Sequence, residues 1–345
     1  MGIREIAKAA GVASSTVSLV LSGAKNVSDE TASQVKEVAE RLGYLPGRAG
    51  RPKKTLGEPK SVNSCHRIAL IAWKMEGSAL SSPIYSSVIL GVEKGIREFG
   101  KTLVLCHVMP EQDLHSSHFN SSVDGIILFG KPQRSDLKIL GGRPCIRIMG
   151  PIIDPSEDWD HITYNDQSVG VLAANYMLRR KHSHVVSLAD PQPAFTRGGA
   201  FVNQLNGSGC RVTVLEPNNS LVVKSGKTQK IDLINMEALV EQMLKLRPLP
   251  SAMFVPIDIM AQALYLVLHK KGLQPGSDIE IVSCNNEEIL LNGLSPRPTT
   301  IDIHSEEIGL RAVGQLMRRI KYPDPPRETL MIEPTLIPGE YLEKI

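Results

Sequence analysis

The chain has 345 residues, of which 42% are hydrophobic, and a formal net charge of +3, so we expect two or three packed domains. No apolar run approaches the ~18 residues of a membrane span and residues 1–23 lack the pattern of a secretory leader, so we expect a cytoplasmic protein without membrane contact. The five cysteines are scattered and odd in number, which favours reduced thiols over disulfides or a zinc site.

Residues 1–46 predict three short helices around a small apolar core. The first helix carries one apolar stripe, formed by Ile3, Ile6, Ala7 and Ala10. In the second helix, Ser14–Leu21, the residues that face inward are Val17, Val20 and Leu21. Ser28 is placed to cap the third helix, whose stripe comprises Val35, Val38, Ala39 and Leu42. Because Gly11 gives a tight turn between the first two helices, the pattern predicts a helix-turn-helix domain that inserts one helix into a DNA groove.

Residues 47–66 contain three Gly, two Pro and few apolar side chains, which predicts an extended, flexible linker. The positive charge is concentrated here and in the helical domain. Residues 1–60 contain ten Lys and Arg against six Asp and Glu, whereas the rest of the chain has a net charge of −1. This placement suits a domain that neutralises DNA phosphates.

From residue 67 onward, short apolar runs alternate with helical patterns. The predicted strands are Ile68–Ala72, Leu103–Val108, Gly125–Phe129, Cys145–Met149, Val185–Leu188, Val212–Leu215, Met253–Val255 and Ile279–Ser283. The predicted helices are Tyr85–Phe99, Val169–Arg180, Met236–Leu246, Met260–Lys271 and Ile308–Ile320. This alternation predicts parallel sheets with helices on both faces, and its length predicts two lobes with a cleft.

Several segments resemble, in order and spacing, the lactose-repressor (LacI) family. In the helical domain they are Ile3–Val12, Thr16–Ser18, Val20–Gly23, Val27–Ser28 and Leu42–Pro46. In the body they are Ser82–Tyr85, Val123–Ile127, Asp166–Gly170, Thr196–Phe201, Asp258–Ala261 and Pro298–Ile301. The resemblance implies a periplasmic-binding-protein-like core, in which the chain crosses three times between two lobes and a small effector occupies the cleft. We expect one lobe from about 67–163 plus 290–325 and the other from 164–289 plus 326–345.

Candidate DNA-binding residues lie on the first two helices. Ser14, Ser15, Thr16 and Ser18 can bond base edges or phosphates, or they serve only to cap and solubilise the helix. Arg4 and Lys8 can approach the DNA backbone. Leu19 departs from the family, because many relatives carry there an Arg that reaches a guanine; an apolar contact with a thymine methyl is then expected.

The linker also departs from the family, in which this segment folds into a hinge helix that wedges a Leu into the minor groove. Here Gly50 and Pro52 oppose a helix and Lys53 stands at the Leu position. The segment 49–54 instead resembles an AT-hook, with Arg51 placed to enter an A·T minor groove and Arg48 near it. Nonspecific attraction to phosphates and an inert spacer are the alternatives.

The resemblance implies that the effector contacts Arg197 and Asp258, with Asp166 as an acceptor at a helix start and Tyr85 as a stacking wall. Asn285 stands where relatives carry an Asp, and Ile257 precedes Asp258 where they carry an Asn. Both changes reduce the groups available to sugar hydroxyls, so a standard hexose is in doubt. We predict no metal site, since the pair His115 and His118 lacks a third ligand nearby. We predict no cofactor, since the sequence lacks phosphate-cradle motifs, and it lacks a nucleophile elbow as well.

We therefore expect a homodimeric regulator, most simply a repressor, that binds a double-stranded operator and is gated by a small sugar-like effector. Dimerisation is expected because one headpiece buries too little surface for high specificity. The first alternative is a sugar-sensing binding protein with degraded DNA recognition. The second is an enzyme built on the cleft, which lacks an acid–base or nucleophile pattern in the sequence.

Overall fold

The computed structural model describes residues 3–21, 27–41, 66–75, 82–108, 123–130, 140, 142–150, 159–189, 196–216, 222–225, 228–231 and 233–340. The chain forms two compact units, Met1–Lys60 and Ser61–Ile345. We call the first the headpiece and the second the core. None of the helices in the described ranges is long and apolar enough to cross a membrane.

The headpiece contains α1 (Ile3–Ala10), α2 (Ser14–Leu21) and α3 (Asp29–Arg41). Its core is formed by buried aliphatic side chains from all three helices, among them Ile6, Val17, Val20 and Val35. Gly11 has φ +65°, a conformation that glycine adopts without steric cost, and it turns the chain between α1 and α2. The Ser28 hydroxyl accepts a hydrogen bond from the Thr31 amide, which confirms the predicted cap of α3.

The first sheet of the core has the strand order β13-β5-β4-β3-β1-β2, and all of its pairings are parallel. Its strands are β1 (Arg67–Trp73), β2 (Thr102–Val108), β3 (Gly125–Gly130), β4 (Cys145–Ile148), β5 (Asp160–Tyr164) and β13 (Thr329–Ile332). One face is covered by α4 (Pro83–Glu98) and α10 (Ser305–Lys321), which pack against each other. We call this sheet with its helices the first lobe.

The second sheet has the order β14-β12-β11-β10-β6-β7 and is parallel except for β14 at its edge. Its strands are β6 (His184–Ser187), β7 (Arg211–Val214), β10 (Ala252–Phe254), β11 (Glu280–Cys284), β12 (Thr299–Asp302) and β14 (Thr335–Ile337). The helices of this second lobe are α5 (Asp166–Arg179), α6 (Arg197–Leu205), α7 (Leu233–Leu244), α8 (Asp258–Lys270) and α9 (Glu288–Leu291). A separate hairpin joins β8 (Val222–Ser225) to β9 (Thr228–Ile231).

The chain crosses between the lobes three times, after β5, after β12 and after β13, as the family resemblance implies. Two crossings are tied together, because the Asn165 side chain donates to Glu333 at 2.8 Å and the Asn165 amide donates to Ile332. The His304 Nε2, on the crossing after β12, lies 2.9 Å from the Thr335 hydroxyl of β14 in the second lobe.

The expected lobe limits need correction at the C-terminal crossings. Residues 299–302 pair with β11 in the second sheet, so the crossing into the first lobe falls at 303–304 and not near 290. Residues 329–332 pair with β5, so the return falls at 333–334 and not near 326. A strand's own residues do not reveal which sheet it joins, because that choice depends on pairing with distant strands.

Candidate functional site

The outward face of α2 is a row of small hydroxyl side chains and one leucine. Ser14, Ser15 and Ser18 are exposed, Thr16 is half-buried, and Leu19 is 43% exposed. On the opposite face, Val17 and Val20 are anchored in the headpiece core. One face of α2 is thus anchored in the headpiece and the other presents polar groups. Since α2 also follows a supporting helix after a tight turn, it has the arrangement of a DNA-reading helix.

Lys8 lies exposed on α1, close in sequence to this face. Arg4 belongs to α1, but its side chain is not among the described parts of the structure. Arg48, Arg51 and Lys53 lie outside the described residues, as does the linker around them. The predicted DNA contacts of these four residues therefore stay predictions from the sequence.

In the core, Arg197 is the centre of a network that joins three of the predicted effector residues. It lies at the first position of α6, and its Nε donates to the Asp166 carboxylate at 2.7 Å. Its terminal nitrogens donate to Asn285 at 3.2 Å, to the Tyr164 hydroxyl at 2.9 Å and to the Pro256 carbonyl. The Arg197 amide also donates to Asp166. The Arg197 side chain is only 11% exposed. Its charge is balanced by the Asp166 carboxylate, and three neutral oxygens accept its remaining hydrogen bonds.

Asp258, for which the family resemblance implies an effector contact, is surrounded by hydrogen-bond donors of the core. The residue is fully buried, and its carboxylate accepts bonds from the hydroxyls of Ser283 and Thr300 and from the Glu287 amide. Burial raises the pKa of Asp258 to about 6, although these hydrogen bonds oppose the rise. The carboxylate thus holds the loop after β11 in place, and an effector contact of Asp258 stays a prediction from the sequence.

Tyr85 is buried on α4, with its ring centroid 5.5 Å from that of Phe129 at the end of β3. Burial raises the pKa of its hydroxyl. Among the described residues, the ring contact of Tyr85 is with Phe129 of the first sheet, whereas the Arg197 network is formed by Asp166, Asn285, Tyr164 and Pro256. A stacking role in the cleft therefore remains a prediction for this residue.

A cavity of about 740 Å³ opens between the lobes. The first lobe contributes the first turns of α4 and α10, and the second lobe contributes the loop from Asn285 to Ile289. Asn285 belongs both to this cavity wall and to the Arg197 network, so the two features form one continuous site. Asn285 and Asn286 have φ values of +102° and +56°, strained conformations that asparagine tolerates better than most residues.

Glu287 is a cavity residue that the sequence reasoning missed. It is 7% exposed, and the Ser82 hydroxyl of the first lobe lies 3.5 Å from its Oε1. Burial and the neighbouring charge of Asp258 raise the pKa of Glu287 to about 7. In the sequence it precedes another glutamate, Glu288. Such a pair is typical of a solvent-exposed helix start, so it does not indicate a buried residue.

Two family models match the chain. Residues 2–47 match the model described as bacterial regulatory proteins of the lacI family, and residues 174–340 match a periplasmic binding protein-like domain. The chain is a LacI-family regulator. Its helix-turn-helix headpiece and its two-lobed core with parallel sheets agree with the fold predicted from the sequence.

Similar proteins span nearly the whole regulator. The ribose operon repressor of Escherichia coli (strain K12) is 25% identical over 97% of this chain and 98% of its own. The transcriptional repressor PurR of Pasteurella multocida (strain Pm70) is 27% identical over 97% of this chain and 96% of its own. These relatives are transcriptional repressors rather than enzymes.

Solved structures share the fold at low identity. A complex of the transcriptional regulator CelR with cellobiose has a TM-score of 0.65 and 21% identity, with 99% of both chains covered. The Lac repressor dimer bound to operator and the anti-inducer ONPF has a TM-score of 0.58 and 18% identity, with 98% of both chains covered. These structures show that the chain shares their fold, and the lacI-family match and the repressor relatives make it a DNA-binding transcriptional regulator.

Proposed function

We propose that this regulator is a cytoplasmic, homodimeric repressor whose operator affinity changes when a small polar effector, a sugar or sugar derivative, enters the cleft. The observation that carries the proposal is the presence, in one chain, of a DNA-reading headpiece and a hinged cleft with a buried arginine network. The named relatives are repressors, and one similar structure holds cellobiose.

The DNA contacts proposed for the headpiece divide into two kinds. The hydroxyls of Ser14, Ser15, Thr16 and Ser18 donate to and accept from base edges and phosphates, whereas Leu19 packs against a thymine methyl. Two headpieces are needed, because one short helix reads too few base pairs for specific binding.

The linker is proposed to act as an extended minor-groove arm. Gly50 and Pro52 disfavour a helix, and Arg51 between them suits the negative potential of a narrow A·T groove. This assignment rests on the sequence of residues 47–66 alone.

Effector control is proposed to work through lobe closure. The effector contacts assigned to Arg197, Asp166 and Asn285 are supported by their shared network at the cleft, and Tyr85 is retained as a wall of the first lobe. A ligand that binds one degree of closure better shifts the population toward it, and in a dimer this changes the spacing of the headpieces.

The test is a mobility-shift titration on duplex DNA from the region that precedes the protein's own gene. A thermal-shift screen against ribose, cellobiose and other sugars identifies the effector, which is then added to the titration. Salt-resistant, specific binding that the effector alters supports the proposal. Binding of a sugar with no specific DNA complex would instead establish the alternative, a sugar-sensing protein with degraded DNA recognition.

A further inference from the structure

The wall of the cavity between the lobes carries one sign of charge. Its ionisable side chains are five carboxylates and one histidine, namely Glu287, Glu288, Asp302, Glu306, Glu307 and His304. No Lys or Arg lines the cavity in the part of the chain that the structure describes. A concave surface lined by one sign of charge concentrates ions of the opposite sign, so this wall attracts cations.

Two of the five carboxylates are balanced by cations that lie outside the wall. Glu306 pairs with Lys94 of α4, and Glu307 pairs with Arg311 of α10. The other three form no ion pair with a Lys or Arg of the described ranges. The first turns of α4 and α10 also meet at the wall, but each helix start adds only about half of a positive charge. The wall therefore keeps an excess of negative charge.

Glu287 is the carboxylate for which a cation matters most. The residue is only 7% exposed, and the hydrogen bond to its Oε1 comes from the neutral Ser82 hydroxyl at 3.5 Å. Its own amide donates to the Asp258 carboxylate, which places a second negative charge close to it. A buried carboxylate is unfavourable without a cation, and a neutral ligand that covered it would remove its remaining water without supplying one.

The rest of the wall suits the body of a sugar. Ile289 is 78% exposed and, with Ile84 of the first lobe, offers apolar surface to the face of a ring. Hydroxyl groups that can bond to those of a sugar are supplied by Ser86, Ser87 and Ser305. The wall thus combines apolar and neutral polar surface with unbalanced carboxylates.

Two other classes of ligand fit this wall less well. A carboxylate ligand would face negative charge, and Arg197, which donates to Asn285 of the wall, is already paired with Asp166. A metal ion needs several close donors, and the described residues contain no group of three His, Cys, Asp or Glu side chains that could hold one. An organic cation remains.

We propose that the effector is an amino sugar whose ammonium group bonds to Glu287. The assignment rests on the proposed function and deepens it, because it names the class of ligand that the cleft selects. The ring of the sugar lies against Ile289. A cation between carboxylates of the two lobes also reduces the repulsion between them, so the ligand favours closer approach of the lobes.

The experiment compares ligands that differ in charge at one carbon atom. The 6-amino-6-deoxy derivatives of glucose, galactose and mannose, the parent hexoses and the corresponding uronates are titrated calorimetrically into the full chain without DNA at pH 8. At this pH an alkylammonium is charged and Glu287, whose pKa is about 7, is ionised. Diaminobutane and butanediol form a further pair, which does not depend on the arrangement of sugar hydroxyls.

We expect at least one amine to bind about 10-fold more tightly than its hydroxyl counterpart, because charge-assisted hydrogen bonds are stronger than neutral ones. The uronates should bind most weakly. Hydroxyl compounds that bind as tightly as the amines in every pair, or no binding by any amine, would overturn the proposal. Magnesium and calcium chloride are titrated as well, and binding of these ions without binding of an amine would also overturn it.

Three variants test the role of the wall. Glu287→Gln keeps the size of the side chain and should abolish the preference for amines, whereas its thermal unfolding midpoint without ligand should not fall, since an unbalanced charge is removed. Glu288→Gln should reduce the preference by a smaller factor. Glu98→Gln, at the exposed last residue of α4 and outside the wall, should keep it. An unchanged preference in Glu287→Gln, or in Glu288→Gln should the first variant not fold, would contradict the assignment.

The same titrations separate this proposal from the proposed function. A neutral sugar that binds more tightly than its amine and alters operator affinity would overturn the amino-sugar assignment and leave effector control in place. Amine binding that depends on Glu287 but leaves operator affinity unchanged would support the assignment and overturn effector control.

Discussion

Polar side chains are exposed on the outward face of α2, whereas those of the cleft are buried and hydrogen-bonded within the core. On α2, three serines are exposed and Leu19 is 43% exposed, while Val17 and Val20 are buried in the headpiece core and Leu21 packs against it. In the cleft, Arg197 and Asp258 are buried and satisfied by other residues of the protein. Substitutions on the outward face of α2 should therefore alter DNA recognition with little effect on the free energy of unfolding. Substitutions in the cleft should lower the free energy of unfolding first.

The largest expected effect comes from removing the centre of the cleft network. Arg197→Ala leaves Asp166 without its ion-pair partner and frees the acceptors of Asn285 and Tyr164, so the free energy of unfolding should fall by about 3–5 kcal/mol. Chemical denaturation measures this loss. The exposed pair partner Arg311 is the matched control, since Arg311→Ala should change stability by less than about 0.5 kcal/mol. A similarly small change in the free energy of unfolding of Arg197→Ala would contradict a stabilising role of the cleft network.

Two glycines on α10 differ in the space that a Cβ atom would have. A Cβ at Gly309 would lie 2.3 Å from the Val88 carbonyl oxygen of α4, so Gly309→Ala must separate the two helices and should destabilise the core by about 1–3 kcal/mol. Nothing lies within 4 Å of a Cβ at Gly314, so Gly314→Ala should stabilise the core by about 0.5–1 kcal/mol through helix propensity. Thermal unfolding of both variants gives the sign of each change in stability. A change of the same sign in both would contradict this prediction.

On the DNA side, the linker should affect binding alone. Arg51→Ala is expected to weaken binding to operators with A·T pairs beside or between the half-sites by about 1–3 kcal/mol, and much less where these pairs are G·C. The reason is that the guanine amino group and the wider groove already exclude the arm. Affinities on the two DNA sets, with the unfolding midpoint as control, test this. Equal weakening on both would reduce Arg51 to a phosphate contact.

A smaller effect is expected from the titration of Asp258. Its pKa of about 6 in the folded core exceeds the ordinary 3.8, so its contribution to stability is present at low pH and is lost as pH rises through 6. Lowering the pH from 7.5 to 5 should therefore stabilise the wild type by about 1 kcal/mol relative to Asp258→Asn. Denaturation curves of both proteins at the two pH values provide the measurement, and parallel pH dependences would contradict it.

The headpiece could be predicted almost completely because each helix carries its own apolar stripe and local stop or cap signals. β5 could not, because its buried residues include Asp160 and His161, which look polar in sequence. Asp160 is satisfied by Arg319 and Gln315 of α10, over 150 positions away, and His161 by the Met149 carbonyl. Strand periodicity does not report such tertiary compensation.

The site shows the same limit. The family resemblance pointed to Arg197, Asp166 and Asn285, and the fold brings them together. Glu287 was missed because its burial depends on the start of α4, about 200 positions earlier in the chain. Asp258 matched a family motif, but only the structure reveals that hydroxyls and an amide surround its carboxylate.

To find whether the outward face of α2 reads operator DNA, bound duplexes are selected from random DNA with the full chain and with Leu19→Arg. We expect the wild type to select paired half-sites with a thymine at one fixed position. The variant should select guanine at that position and the same bases elsewhere. Identical preferences for both proteins, or no enriched half-site with the wild type, would contradict it.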